Sequence, residues 1–294
     1  MQQQNPYQGP LAGLNVIDFG HYYAGPMAAM QLADQGANVI RIVRPGDKEL
    51  PDQQYRLLNR NKKLLELDLK TEDGKYQALS LIEEADVVIE NFRPGVMKRL
   101  GLDYASVKET NHRLVYLSLP GFASTDIERA PIQAWEGIVS AATGIYTEMH
   151  LFRQRLNFPP LYSWVPLLSM YAAINGGIAV MAALLARDAH GFGTVIEVPM
   201  SDVSKICVSP RETAYSEEVL PEAARSLMYS PEDSPSAQMD KLEKAYPMLL
   251  PMIYSGGMDS VENIYLCADG RLIYISLWGL QHLGDSLLKV LGLY

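Results

Sequence analysis

The sequence predicts an α/β protein: a mostly parallel sheet covered by helices on both faces, followed by a smaller hairpin-and-helix region. Two observations carry this prediction. Short apolar runs alternate with helix-length segments from residue 14 to residue 122, and a long apolar stretch then leads into one further strand. Such alternation builds a parallel sheet, because each crossover helix returns the chain to the same edge.

"LNVIDFG" (14–20) reads as the first strand, and "GPMAAMQLADQG" (25–36) as a helix with Pro26 in its first turn and Gly36 at its end. "ANVIRIV" (37–43) is the second strand, and a polar loop separates it from "KLLELDL" (63–69), the third. Thr71 opens a helix over "TEDGKYQALSLIEEA" (71–85), and "DVVIENF" (86–92) is the fourth strand. "PGVMKRLGL" and "DYASVKETN" read as short helices before the strand in "HRLVYLSLPGF" (112–122). "GTVIEVPMSDV" (193–203) is a strand running into a helix. Residues 209–251 lose periodicity and read as a connection. "ENIYLCADGRLIYISLW" (262–278) is a hairpin around Asp269-Gly270, and "LQHLGDSLLKVLGLY" an amphipathic helix.

"VPLLSMYAAINGGIAVMAALLAR" (165–187) runs twenty-two residues before its first charge, long enough to cross a bilayer. It is rich in Ala and Gly, interrupted by Ser169, Asn175, Gly176 and Gly177, and has no basic cluster on one flank. These features predict a helix buried in a soluble protein. Composition agrees: of 294 residues 48% are hydrophobic and 20% charged, with mean hydropathy −0.04. The formal net charge of −9 argues against nucleic acid or an anionic membrane as partner. Cys207 and Cys267 stand alone, with no CxxC or Cys/His spacing, which predicts a reducing cytoplasm and no metal site. The N-terminal "MQQQNPYQGPLAGLNV" lacks the charged and apolar regions of a secretory signal.

The turn in "DFGHYYAGPMAAM" offers helix N-terminal N–H groups to a phosphate, although it has neither GxGxxG nor GxxxxGK[ST]. His21 reads as a surface-loop histidine, since no partner base is identifiable. Segment 41–63 carries seven basic residues, Arg41, Arg44, Lys48, Arg56, Arg60, Lys62 and Lys63, against three acids. That run suits a polyanionic small ligand or, equally, a solvated charged face. "ENFRPG" (90–95) puts Asn91 and Arg93 at the carboxyl end of a strand, where open α/β sheets bind ligands. No Ser/His/Asp set, nucleophile elbow or metal cluster stands out.

Together "PLAGLNVIDFGHYYAGPMAAMQLADQGANVIRIVRPGD", "NRNKKLLELDLKTEDGK", "ADVVIENFRPGVMKRLGL", "NHRLVYLSLPGF" and "AALLARDAHGFGTVIEVPMSDV" resemble the class III (CaiB/BaiF) coenzyme A transferases, the family that includes formyl-CoA transferase and, as a relative, α-methylacyl-CoA racemase. The resemblance implies a large Rossmann-like CoA-binding domain at 10–205, a connecting segment at 206–250 and the start of a small α+β domain at 251–294. It implies two chains interlocked as a homodimer, or pairing with a second family unit. Family members are longer, so the chain is expected to be a fragment or a truncated product. Coenzyme A or acyl-CoA is expected as substrate, a carboxylic acid as its partner, and no permanently bound cofactor. Tyr23, Ala24, Arg44, the stretch from Leu67 to Lys70, Asn91, Phe92, Arg93 and Arg99 match CoA-contacting positions, and Gly256 and Gly257 a glycine loop over the thioester.

Counting back from "AALLAR", the family's catalytic aspartate falls on Ser169. No Asp or Glu lies between Glu148 and Asp188 to replace it. A serine needs an adjacent base to become nucleophilic, and none is evident in the sequence. Glu136 matches an acidic position near the family's active site and reads either as an acid/base or as a structural carboxylate. Three functions follow from the resemblance: a CoA-transferase whose nucleophile comes from a partner unit or unusual chemistry, a CoA-binding but catalytically silent half, and, ranking lower, an acyl-CoA racemase.

Overall fold

The computed structural model describes residues 9–46, 51–148, 162–207 and 230–241, the strand pair at 263–266 and 272–275, and a few isolated positions. By internal contacts the chain forms two units, one comprising Met1–Ile145 with Tyr162–Arg211, the other Tyr146–Leu161 with Glu212–Tyr294.

In the first unit the predicted strands appear as β1 (Asn15–Asp18), β2 (Asn38–Val43), β3 (Lys62–Glu66), β4 (Val87–Glu90), β5 (Val115–Ser118) and β6 (Thr194–Glu197). They form one sheet in the order β3-β2-β1-β4-β5-β6, with every pairing parallel. The chain builds outward from β1 to β3, then crosses to the other side of β1 for β4 to β6. The strand order therefore reverses between β1 and β4, and a crevice opens there at the carboxyl edge.

Helix α1 (Ala24–Asp34) follows β1, with Pro26 in its first turn and Gly36, at φ 96°, just beyond its end. Between β2 and β3 the expected polar loop contains a helix instead, α2 (Asp52–Leu58). Among its residues whose burial is described only Leu58 is deeply buried, so it leaves no apolar period to read. Helix α3 (Glu72–Glu83) is capped as its sequence predicts, with the Gly74 N–H donating to Thr71 Oγ1 at 3.0 Å. The short helices α4 (Val96–Leu100) and α5 (Tyr104–Val107) precede β5; α6 (Glu136–Ala142) and α7 (Ile145–Glu148) follow it, unforeseen in the sequence.

The apolar stretch is helix α8 (Leu167–His190), which ends on Gly191 in the left-handed region at φ 86°. It packs against α1, β5, β6 and the final helix of the unit, α9 (Met200–Cys207). Its length and composition would suffice to cross a membrane, yet half of its most apolar window is buried. The buried stripe includes Ala172, Ala173, Gly176, Gly177 and Val180. A Cβ on Gly176 would sit 3.0 Å from Cδ2 of both Leu117 and Leu119, so glycine permits this close approach to β5. On the other face of the sheet, Ile17, Val88 and Tyr116 pack with Ala78 and Ile82 of α3 and Val107 of α5. Alternate strand residues thus feed two helical layers.

In the second unit β7 (Asn263–Leu266) pairs antiparallel with β8 (Leu272–Ile275), as the hairpin reading predicts. The turn at Asp269-Gly270, the glycines Gly256 and Gly257, and nearly all of the last predicted helix lie outside the described residues.

Candidate functional site

A cavity of about 570 Å3 opens at the carboxyl edge of the sheet, over the point where strand order reverses. The segment after β1 contributes His21, Tyr22, Tyr23 and Ala24, the residue after β2 is Arg44, and the segment after β3 contributes Leu67, Asp68 and Lys70. From the segment after β4 come Asn91, Phe92 and Arg93, and from α4 comes Arg99. Trp135, Glu136, Ser169 and Met200 complete the wall. The catalytic candidates Ser169 and Glu136 and the CoA-contacting candidates from Tyr23 to Arg99 all line this cavity, while Gly256 and Gly257 lie outside the described residues.

Its electrostatics suit an anion. Arg44, Lys70, Arg93 and Arg99 face two carboxylates, Asp68 and Glu136, on a chain whose formal net charge is −9. The N-terminus of α1 adds its unpaired N–H groups and positive dipole end beside Tyr23 and Ala24. That turn is tightly built. A Cβ on Gly20 would lie 2.7 Å from the Gly25 Cα, and one on Gly25 would lie 2.6 Å from the Gly20 Cα. Tyr22 holds a positive φ of 55°, uncommon for an aromatic residue, and meets Trp135 edge-on with ring centroids 4.5 Å apart. These two rings are site residues that the sequence reading did not single out; no local periodicity marks them.

Asn91 does not offer its amide to the cavity alone. Its Oδ1 accepts the His21 N–H at 2.8 Å and its Nδ2 donates to the His21 carbonyl at 2.9 Å. The His21 ring meets Phe92 edge-on at 4.1 Å, so this histidine is part of the cleft wall and not a free surface residue. Arg93 is steadied by donation to the Pro131 carbonyl at 3.0 Å.

The basic run 41–63 separates once folded. Arg44 lines the cavity, but Arg41 and Lys62 do not: both are buried in the sheet region, Arg41 donating to Asn59 and Lys62 paired with Asp18. Burial pulls the Lys62 ammonium below its ordinary pKa, and the Asp18 carboxylate opposes that shift. Arg60 pairs with Asp34 at the surface. The run therefore does not form one polyanion patch: Arg41 and Lys62 are buried in contacts of their own, Arg60 is paired at the surface, Arg44 lines the cavity, and Lys48 lies outside the described residues.

Ser169 occupies the third position of α8 and is only 6% exposed, yet reaches the cavity. Its Oγ donates to Glu136 Oε2 at 2.7 Å, with Met200 Sδ 3.4 Å away as a second, weaker acceptor. Glu136 also accepts the N–H groups of Leu168 at 2.8 Å and Ser169 at 2.9 Å. A carboxylate does hold the Ser169 hydroxyl, contrary to the expectation that no base adjoins it; the partner lies 33 residues away in sequence. The same carboxylate begins α6 and caps α8, satisfying backbone donors that Pro166 at the α8 N-cap cannot.

Behind the cleft, Glu90 ends β4 beside Ser118 of β5 and accepts the Phe92 N–H at 2.7 Å. Burial pushes its carboxyl up to about 7; hydrogen bonds from Ser118 and the Phe92 N–H oppose the shift, and nearby Glu197 adds to it.

Fold and cavity define an open, doubly wound α/β protein with a cationic cleft at its switch point. The chain belongs to CoA-transferase family III, whose model matches residues 11–235. It is 38% identical over all 294 residues to the CoA-transferase/lyase DddD of Marinomonas sp. (strain MWYL1), covering 34% of that protein. Over 210 residues it is 33% identical to the formyl-CoA:oxalate CoA-transferase of Escherichia coli O139:H28, covering 67% of this chain and 49% of the other. The chain thus spans between a third and a half of the length of these curated relatives. Among solved structures, a hypothetical protein from Mycobacterium tuberculosis matches 97% of this chain and 70% of its own, with TM-score 0.67 and 26% identity. A CaiB/BaiF family protein from Brucella suis matches 71% of this chain and 58% of its own, with TM-score 0.63 and 28% identity.

Proposed function

We propose that this chain is an acyl-CoA-binding unit of an enzyme that transfers CoA between carboxylic acids, and that the carboxylate nucleophile of that reaction comes from a second family unit. The observation that carries this reading is the cleft itself: four cationic side chains and the α1 N-terminus surround a cavity that ends at Ser169. Arginines and helix N-termini suit the phosphates of CoA, and the apolar edges of Leu67 and Phe92 suit its adenine. The acyl thioester would then extend toward Ser169 and Glu136.

The chemistry at that end favours binding without covalent transfer. A carboxylate attacking a thioester forms a mixed anhydride and releases the CoA thiolate, and the anhydride stays reactive enough for the thiolate to return. A serine would lose its proton and form an ester, from which return of a thiolate is uphill. Glu136 supplies the proton acceptor for a serine-dependent step, and that hydrogen bond supports a second reading in which Ser169 itself is acylated. Both Glu136 oxygens, however, already hold the N-terminus of α8.

A partner is supported by the outer face of α8, where Tyr171, Ile174, Ile178 and Leu185 are exposed at helical spacing. The lone cysteines support a cytoplasmic setting. Calorimetric titration of the 294-residue chain with CoA and acetyl-CoA tests the binding reading: saturable binding of both is expected, and absence of heat with either contradicts it.

A further inference from the structure

The turn from Gly20 to Pro26 shapes the cleft, and one buried cation holds both of its ends. Lys62 is a β3 residue whose side chain is fully buried. Its Nζ donates to Asp18 Oδ2 at 2.8 Å and to the Pro26 carbonyl at 2.7 Å. The other oxygen of Asp18 accepts the Gly20 N–H at 2.8 Å. Lys62 therefore grips the start of the turn through Asp18 and its end directly, across a segment where two glycine backbones already touch.

Burying an ammonium and a carboxylate carries a desolvation penalty that an apolar pair of similar volume avoids. Packing alone does not call for this pair. What it adds is direction: a carboxylate fixed by Lys62 on one oxygen can hold the Gly20 N–H with the other. The ammonium's hold on the Pro26 carbonyl also fixes the first turn of α1.

We propose that Lys62 is a positioning residue for the anion site of the cleft, holding the Gly20–Pro26 turn so that Tyr23, Ala24 and the α1 N-terminus stay aimed at the ligand's phosphates. This rests on the CoA reading of the cleft. Lys62 lies outside the cavity wall and acts through Asp18 and the backbone.

The test compares three variants of the full chain: Lys62→Met; Lys62→Met with Asp18→Asn, which removes both charges and keeps an acceptor for the Gly20 N–H; and Arg187→Met. The last breaks a part-buried ion pair of 2.9 Å with Asp86 at the opposite edge of the sheet and controls for lost stability alone. CoA affinity is read by calorimetry, urea midpoints by circular dichroism, and hydrogen exchange at the amides of Gly20, His21 and Met27. Both Lys62 variants should lose about ten-fold or more in CoA affinity, equivalent to about 1.4 kcal/mol, and exchange these amides faster than the unaltered chain. Arg187→Met should lower the urea midpoint while keeping CoA affinity within about two-fold, or about 0.4 kcal/mol. If Lys62→Met does not fold, the double variant carries the comparison. CoA affinity and turn exchange both unchanged in the double variant would overturn the proposal. If the unaltered chain binds no CoA, the CoA reading fails by itself, and exchange alone decides the brace: faster turn exchange supports it and unchanged exchange overturns it.

Discussion

Ser169 and Glu136 share one short hydrogen bond, 2.7 Å from Oγ to Oε2, and the carboxylate that receives it also caps the helix on which the serine sits. Glu136 is thus bound to the architecture of α8 before any substrate arrives. Glu136→Ala should lower stability by about 1–2 kcal/mol, the usual cost of losing a helix cap. Glu136→Gln keeps one carbonyl oxygen and should cost less. Urea unfolding of the two variants checks this order; equal stability of Glu136→Ala and the unaltered chain would remove the capping function.

Arg44 projects from the carboxyl end of β2 into the cleft, and a charge-assisted hydrogen bond contributes about 1.5–3 kcal/mol. Arg44→Ala should therefore weaken CoA by at least about ten-fold. Unchanged affinity in calorimetry would remove Arg44 from the phosphate site.

Glu90 makes stability depend on pH in a direction opposite to most carboxylates. Its folded value, raised to about 7 from 4.5, means the native state holds this proton more tightly than the unfolded chain. The contribution is fully present below about pH 4.5 and is lost as pH rises through 7. Its size is on the order of 3 kcal/mol. Glu90→Gln should remove this fall, so that the variant gains on the unaltered chain between pH 5 and pH 8 in urea unfolding (about 3 kcal/mol at most). A constant difference across that range would contradict the assignment.

Helix α8 is asymmetric, and substitution should reveal it. Gly176→Leu places atoms where Leu117 and Leu119 already approach to 3.0 Å and should cost at least about 1–3 kcal/mol. Ile178→Ser, on the exposed face, should stay within about 0.5 kcal/mol. Equal tolerance at both positions would contradict burial of the Gly/Ala stripe.

Much of this architecture is legible because its signals are local. Thr71 caps α3, Gly36 stops α1, and "DVVIENF" reads as a strand. Helix α2 was hidden because a seven-residue helix in which Leu58 alone among the described side chains is deeply buried shows no period. Lys62 and Arg44 look alike in a basic run, and only the fold sends one beneath the turn and the other into the cleft. The resemblance brought Ser169 and Glu136 to notice, but their contact spans 33 residues and two helices, so no spacing in the sequence announces it.

The central claim is that this chain binds acyl-CoA without taking the acyl group onto Ser169. Intact-protein mass spectrometry after incubation with acetyl-CoA, at a concentration that calorimetry shows to saturate the chain, tests it most directly. The expected spectrum carries only the unmodified mass after an acid quench. A stable acetyl adduct that peptide mapping places on Ser169, and that Ser169→Ala abolishes, would contradict the claim and make the Ser169–Glu136 pair a serine-dependent transfer site.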